Sequence, residues 1–320
     1  MTTAIKNRRK LIGLFLLTMG AAVLYLLLFM NMRYFEYFMS LRVPKLAVMI
    51  VVAFAIGSAS IVFQSIINNT IVTPCLLGMN SLYSLIHTAV VFFLGSGSIF
   101  VINSYLSFGL DLILMGIIAT VIYSYLFKKT NHNVLYVLLT GTIMTTFFSS
   151  IQTTLTRIMD PNEYDSLLTS LVASFSNINS TILLVSIAVL AAVAFFLRKE
   201  LALLDVITLG KDQAINLGVD YDKVIRRLLL GVTLYIAVAT AMVGPISFLG
   251  LIIANLARQL MKTYRHTSLI TAAFLIGAIV LVGGQIIVEH IYSYSVPISV
   301  FITVGGGLYF LYLLFQQRRA

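Results

Sequence analysis

Residues able to act chemically are few in this 320-residue chain, and their spacing limits what they could do. No HExxH, GxSxG or GxxxxGK[ST] pattern occurs, and Gly210-Lys211-Asp212 lacks the upstream glycine and the Ser/Thr of a phosphate loop. The single cysteine, Cys75, leaves no internal disulfide and no CxxC metal or redox pair. His87, His132, His266 and His290 sit on four separate segments, so no metal site, no catalytic residue and no cofactor are expected. Only His87 lies well inside an apolar stretch, where a lone histidine more often hydrogen-bonds a neighbouring helix than binds a ligand. The candidate titratable groups within apolar stretches are Asp111, Glu289 and Arg258, each near an end. Proton- or sodium-coupled carriers place titratable groups at membrane depth. Their scarcity here disfavours an ion-coupled carrier and points to energy entering from a partner.

Hydroxyls and glycines are more plentiful. Thr142, Thr145, Thr146, Ser149, Gln152, Thr153 and Thr156 recur at three- to four-residue spacing, which places them on one face of a helix. Any one of them could bond its own backbone or act as a small packing residue. Together they suggest the lining of a translocation pathway or a dimer-facing surface. Gly277, Gly283, Gly284 and the run Gly305-Gly306-Gly307 suggest close helix approach or a flexible gating helix.

The elements that must carry these residues follow from composition. With 60% hydrophobic and 10% charged residues, the chain cannot cover a water-facing surface; soluble domains carry about a quarter charged. Apolar stretches fall at 11–30, 46–66, 77–94, 106–127, 134–156, 181–197, 225–243, 246–261, 269–291 and 296–315. Each approaches the ~20 residues of a spanning helix, and none alternates with period two as a barrel strand would. The basic start (Lys6, Arg8, Arg9, Lys10) and first stretch resemble a signal peptide but lack a small-residue cleavage pattern, so a retained span is expected. The second span gives way to Asn68-Asn69-Thr70 and Thr73-Pro74, which predicts a broken or re-entrant segment. The eighth span is short and contains Asn255 and Arg258.

Ten crossings with the N-terminus inside place only Arg33, Arg42, Lys45 and Arg157 of the 21 Lys and Arg on the outer side. The net charge of +10 is then a topology signal and not a nucleic-acid footprint. The expected architecture is an all-α, polytopic integral membrane protein forming one domain over 1–320, with both termini cytoplasmic. Residues 198–224 form an inner segment of two short helices broken at Gly210 and Gly218. That segment is either a solvated loop or a docking surface. On the outer side Asp160 and Pro161 open a surface helix over about 161–180.

Several segments, in order, resemble the FecCD family of BtuC-like permeases. Arg42-Val43-Pro44-Lys45-Leu46 resembles the family's R-[LV]-P-R entry, with Lys45 in place of the second arginine. Gln64 to Asn69 with Thr73-Pro74-Cys75-Leu76-Leu77-Gly78 resembles Q-x-x-x-x-N-P-L-x-x-P-x-x-L-G, with Thr70 and Cys75 departing from it. Leu209-Gly210, Ala214 and Leu217-Gly218 match L-G-x-x-x-A-x-x-L-G. Gly244-Pro245-Ile246-Ser247-Phe248-Leu249-Gly250-Leu251 resembles G-P-I-x-F-[IV]-G-L, and Val296-Pro297-Ile298 with Gly305-Gly306-Gly307 resembles the last span.

The resemblance implies a type II ABC importer permease in the bacterial cytoplasmic membrane. Its cargo would be an iron chelate, a ferric siderophore, with haem or cobalamin as alternatives and an ion-coupled carrier as a more distant one. The implied partners are a cytoplasmic ABC ATPase, an extracytoplasmic substrate-binding protein and a second permease copy or homologous subunit. ATP hydrolysis would fall on the partner ATPase. Arg42, Lys45 and Arg33 would face the binding protein, and Leu209, Gly210, Asp212, Ala214, Leu217 and Gly218 would couple to the ATPase. Thr142, Thr145, Thr146, Ser149, Gln152 and Thr153 would line the pathway. Gly244, Pro245 and the Gly305–Gly307 run would serve gating or packing.

Overall fold

A computed structural model describes residues 3–29, 32–129, 134–175 and 179–317. Residue 30, at the end of the first expected span, His132 and the last three residues lie outside them. The described residues form helices and no strand. In chain order these are α1 (Thr3–Leu27), α2 (Phe35–Ile67), α3 (Met79–Leu94), α4 (Ile99–Ile102), α5 (Ser104–Lys129), α6 (Val134–Ile158) and α7 (Pro161–Leu171). There follow α8 (Ser180–Phe196), α9 (Arg198–Ile207), α10 (Lys211–Asn216), α11 (Tyr221–Val243), α12 (Leu249–Met261), α13 (His266–His290) and α14 (Ile298–Gln317).

Each of the ten expected spans overlaps one helix: α1, α2, α3, α5, α6, α8, α11, α12, α13 and α14. Among the described residues, five helices are by themselves long and apolar enough to cross a membrane, on α1, α2, α5, α11 and α13. A sixth is the pair α8 and α9, bent by 57°. Met79–Leu94, Leu249–Met261 and Ile298–Leu313 are apolar but shorter. The 13 residues of α12 cover about 20 Å at 1.5 Å per residue, less than a ~30 Å hydrocarbon layer. The backbone of 244–248, entered at Gly244 (φ +87) and left at Phe248 (φ +61), continues its path without helix.

Small residues decide the centre. An added Cβ on Gly57 of α2 would stand 3.2 Å from the backbone of Ala273 and Phe274 of α13. One on Gly277 would meet Ala53 at 3.2 Å, and one on Gly250 of α12 would collide with Ser60. These contacts bring α12 and α13 close to α2, as expected where dispersion and shape drive association. α2 is accordingly buried along most of its length, whereas α1 is mostly exposed and apolar.

One expectation is met and another needs correction. α2 is one helix of 33 residues containing Pro44, and it gives way after Ile67, at the segment expected to be irregular. The irregular backbone comes after it, from Asn68 (φ +54) to Gly78 (φ +98). There Asn69 N donates to Gln64 O at 3.0 Å, Asn69 Oδ1 accepts from Ile71 N, and Thr70 O accepts from Gln64 Nε2 and Asn255 Nδ2. Val72, Thr73, Cys75 and Leu77 of this loop are buried. Protein surrounds it and meets several of its polar groups, as irregular structure at membrane depth requires. The outer helix is shorter than 161–180. It stops at Leu171, though Asp160 caps it by accepting from Asn162 N at 2.9 Å and Pro161 occupies its first turn. Beyond it Ser174 N donates to Val243 O, so 172–175 lies against the end of α11.

Candidate functional site

Lys10 Nζ donates to Leu260 O and the carboxylate of Asp205 meets His266. The start of α1, the segment α9–α10, the end of α12 and the start of α13 therefore share one end of the bundle, called here the basic end. At this end α9 and α10 form two short helices. Gly210 (φ +104) and Gly218 (φ +81) close them in backbone that L side chains rarely adopt. Ala214 is fully buried, while Leu209, Ile215 and Leu217 are each at least half exposed and Asp212 faces solvent in the first turn of α10. Apolar side chains held outward on a tight hairpin form a surface suited to a partner.

Two side-chain links tie this surface to the core. Arg227 on α11 donates to Glu200 Oε1 of α9 at 2.6 Å. Burial opposes ionisation of Glu200, but the hydrogen bond and charge of Arg227 outweigh it and hold the carboxyl below its ordinary range. Asp205 Oδ1 accepts from His266 N at 3.1 Å and pairs with His266 Nδ1. One carboxylate thus caps α13 and fixes its first imidazole.

At the opposite end the structure gives Arg42 a different setting from the expected open one. Its side chain is buried, and Nη1 donates to the carbonyls of Tyr25 (3.0 Å), Leu26 (3.0 Å) and Leu28 (2.8 Å) at the end of α1. The guanidinium also lies over the rings of Tyr25 and Phe38. Those carbonyls have no intrahelical partner, and a cation at a helix C-terminus complements its dipole. Lys45 lies 3.7 Å from Glu289 of α13 and donates to the Tyr294 hydroxyl at 3.2 Å. Glu289 also accepts from Tyr25 and Gln285. Of the three expected docking residues, Arg33 alone is exposed.

The hydroxyl stripe lies on the surface of this chain. Thr142, Thr146 and Thr153 are exposed, and Thr142, Thr145, Thr146 and Thr153 each donate to a carbonyl three or four residues earlier. Ser149 bonds Ser81 of α3 at 3.2 Å, and Gln152 is half-buried. The glycines divide. A Cβ on Gly306 would collide with Phe248, whereas Gly305 and Gly307 have nothing within 4 Å. Gly244 adopts φ +87, and its Cβ would stand 2.9 Å from Ala173 Cα; Pro245 follows it in the non-helical entry to α12.

Sequence reasoning placed Asp111 near a span end and His87 alone. The structure pairs them inside the bundle, His87 Nδ1 to Asp111 Oδ2 at 3.4 Å, both buried, with Tyr83 stacked on the imidazole. They line a cavity of about 290 Å³ that also touches Ser107, Asn179 and Gly244. Also missed was the seam in which Arg258 Nε donates to Gln64 Oε1 (3.1 Å) and Nη2 to Ser65 Oγ (2.8 Å). Polar residues within apolar runs, as at Gln64 and Asn255, were its signal; their partners lie nearly 200 residues away. Among the described residues no three His, Cys, Asp or Glu side chains gather as a metal site.

The FecCD transport family model matches residues 10–316. The Petrobactin import system permease protein YclO of Bacillus subtilis (strain 168) is 37% identical over 310 residues, 97% of each chain. The Petrobactin import system permease protein FatC of Bacillus anthracis is 31% identical over 277 residues, covering 87% of this chain and 78% of that one. Among solved structures, an inward-facing conformation of a metal-chelate type ABC transporter superposes with a TM-score of 0.81. It covers 97% of this chain and 99% of that one at 24% identity, a likeness of fold.

Proposed function

Because the chain belongs to the FecCD transport family, we propose that it is the membrane permease subunit of an ATP-driven importer for an iron chelate. Ferric petrobactin is the first cargo to test, since two of its relatives are petrobactin permeases. The observation that carries this reading is the end-to-end match to such a permease, 97% of both chains. The protein then lies in the bacterial inner membrane with its basic end, and both termini, toward the cytoplasm. A partner ATPase would cover Leu209, Ile215 and Leu217. Movement of α9–α10 would pass through Glu200–Arg227 to α11 and through Asp205–His266 to α13, both packed on α2. An element so linked can switch between two packed arrangements.

The binding protein would dock at the opposite end. Arg33 offers exposed charge there, Lys45 sits at the rim of the Glu289 cluster, and Arg42 shapes the surface from beneath. The hydroxyls of α6 would line the pathway against a second permease. Most of them are satisfied by their own backbone and offer no fixed ligand to compete for iron.

The test is uptake by proteoliposomes holding the permease with its ATPase and binding protein. Ferric petrobactin should enter only with ATP and binding protein present. Uptake driven by a proton gradient without ATP would overturn the reading.

A further inference from the structure

Four cations converge on one cavity at the basic end. Arg8 of α1, Arg258 of α12, Lys262 at its C-cap and Arg265 before α13 line a space of about 650 Å³, with no Asp or Glu in its wall. None of the four makes an ion pair among the described residues. The guanidinium of Arg258 is held by neutral partners, Gln64 and Ser65, so its charge is fixed in place without being cancelled. The frame is also fixed, because Lys10 Nζ clamps α1 to Leu260 O at 2.6 Å. Like charges crowded into a half-enclosed space repel one another, and an anion relieves that repulsion.

The surroundings identify the kind of anion. Leu11 enters the cavity wall from α1, and beyond it α1 presents Ile12, Phe15, Leu16 and Met19 outward as a continuous apolar face. A soluble phosphate would use the cations and leave that face idle. An amphiphile would use both. Basic pockets between spanning helices on the cytoplasmic side suit phospholipid headgroups.

We propose that this cavity binds the phosphodiester headgroup of an anionic phospholipid, with its acyl chains lying along the exposed face of α1. The bound lipid bridges α1, α12 and α13 at the end where α9–α10 reaches α13. This site rests on the proposed membrane orientation, with the basic end toward the cytoplasm, and not on the cargo or the ATPase.

The test is native mass spectrometry of the full chain in mild detergent, titrated with phosphatidylglycerol or with phosphatidylcholine. The R8Q/K262Q/R265Q variant leaves Arg258 and its contacts to α2 intact. Phosphatidylglycerol should bind roughly tenfold or more tightly than phosphatidylcholine, and the variant should lose that preference. Millimolar inorganic phosphate should not displace the lipid. Equal retention of both lipids, or an unchanged preference in the variant, overturns the proposal. Displacement by phosphate assigns the cavity to a soluble anion and overturns the lipid. If the triple variant does not fold, Lys262→Gln alone, at an exposed position, must shift the preference in the same direction.

Discussion

A guanidinium withdrawn from water is costly unless oxygens surround it, and Arg42 has three carbonyls of α1 around one nitrogen. Hydrogen bonds to a charged group contribute about 1.5–3 kcal/mol. Arg42→Met should therefore lower stability by about that amount, read as a drop in melting temperature in detergent. Arg42→Lys should recover only part of it, because its ammonium lacks the planar guanidinium that lies over the rings of Tyr25 and Phe38. If Arg42 served only to touch a partner, both variants would melt like the wild type. The glycines give a second contrast at this scale. Gly244→Ala places a side chain in backbone that is nearly glycine-only and 2.9 Å from Ala173, at a cost of about 1–3 kcal/mol before any repacking. Gly305→Ala and Gly307→Ala meet nothing within 4 Å, so the isolated chain should tolerate them. A loss of transport without a loss of stability at those two would place them against a second subunit.

The element proposed to meet the ATPase is α9–α10, and its links to the core can be cut separately. Asp205→Ala uncaps α13 and releases His266. The apolar surface at Leu209, Ile215 and Leu217 is untouched, so the ATPase should still co-purify while ATP-driven uptake falls. Deletion of 209–218 should abolish co-purification itself, and a complex that survived it would count against that docking face. Acid acts through the other link. Glu200 has its pKa lowered in the folded protein, so its contribution is present above the unfolded value near 4.3 and is lost as pH falls through the lower, folded value. Glu200→Gln should remove that acid-dependent loss and leave neutral-pH stability changed only modestly, because Arg227 is half-exposed. These helices were legible in sequence because Gly210 and Gly218 interrupt an apolar period, which is a local signal. The links were not, since Asp205 and His266 lie 61 residues apart. The true start of α2 was hidden for the same reason. Arg42, Pro44 and Lys45 read as a boundary, yet their charges are satisfied by α1 and α13, so the helix runs on through them to Phe35. The short α12 reflects the positive-φ residues Gly244 and Phe248, and Phe248 is of a type that gives no hint of left-handed backbone.

Across the described residues, the deep charged side chains named above are engaged inside the chain. Glu289 faces Lys45 and Tyr25 at one end, Arg258 bonds Gln64 and Ser65 toward the other, and His87 meets Asp111 between α3 and α5. A proton path needs groups that exchange partners from one side to the other, and these clusters are separate from one another. The His87–Asp111 pair is the one that tests the energetics, because it borders a cavity beside the Gly244 turn. If the pair is a structural tie, removing one member strands the other in a low-dielectric site, whereas replacing both leaves no buried charge behind. His87→Leu should then melt well below the wild type, and His87→Leu with Asp111→Leu should recover much of the loss. In proteoliposomes the double variant should retain ATP-driven uptake, and a protonophore should leave that rate unchanged. If uptake instead vanishes in the double variant while its melting temperature is restored, the pair carries protons or cargo. The proposal that energy enters through α9–α10 alone would then fail.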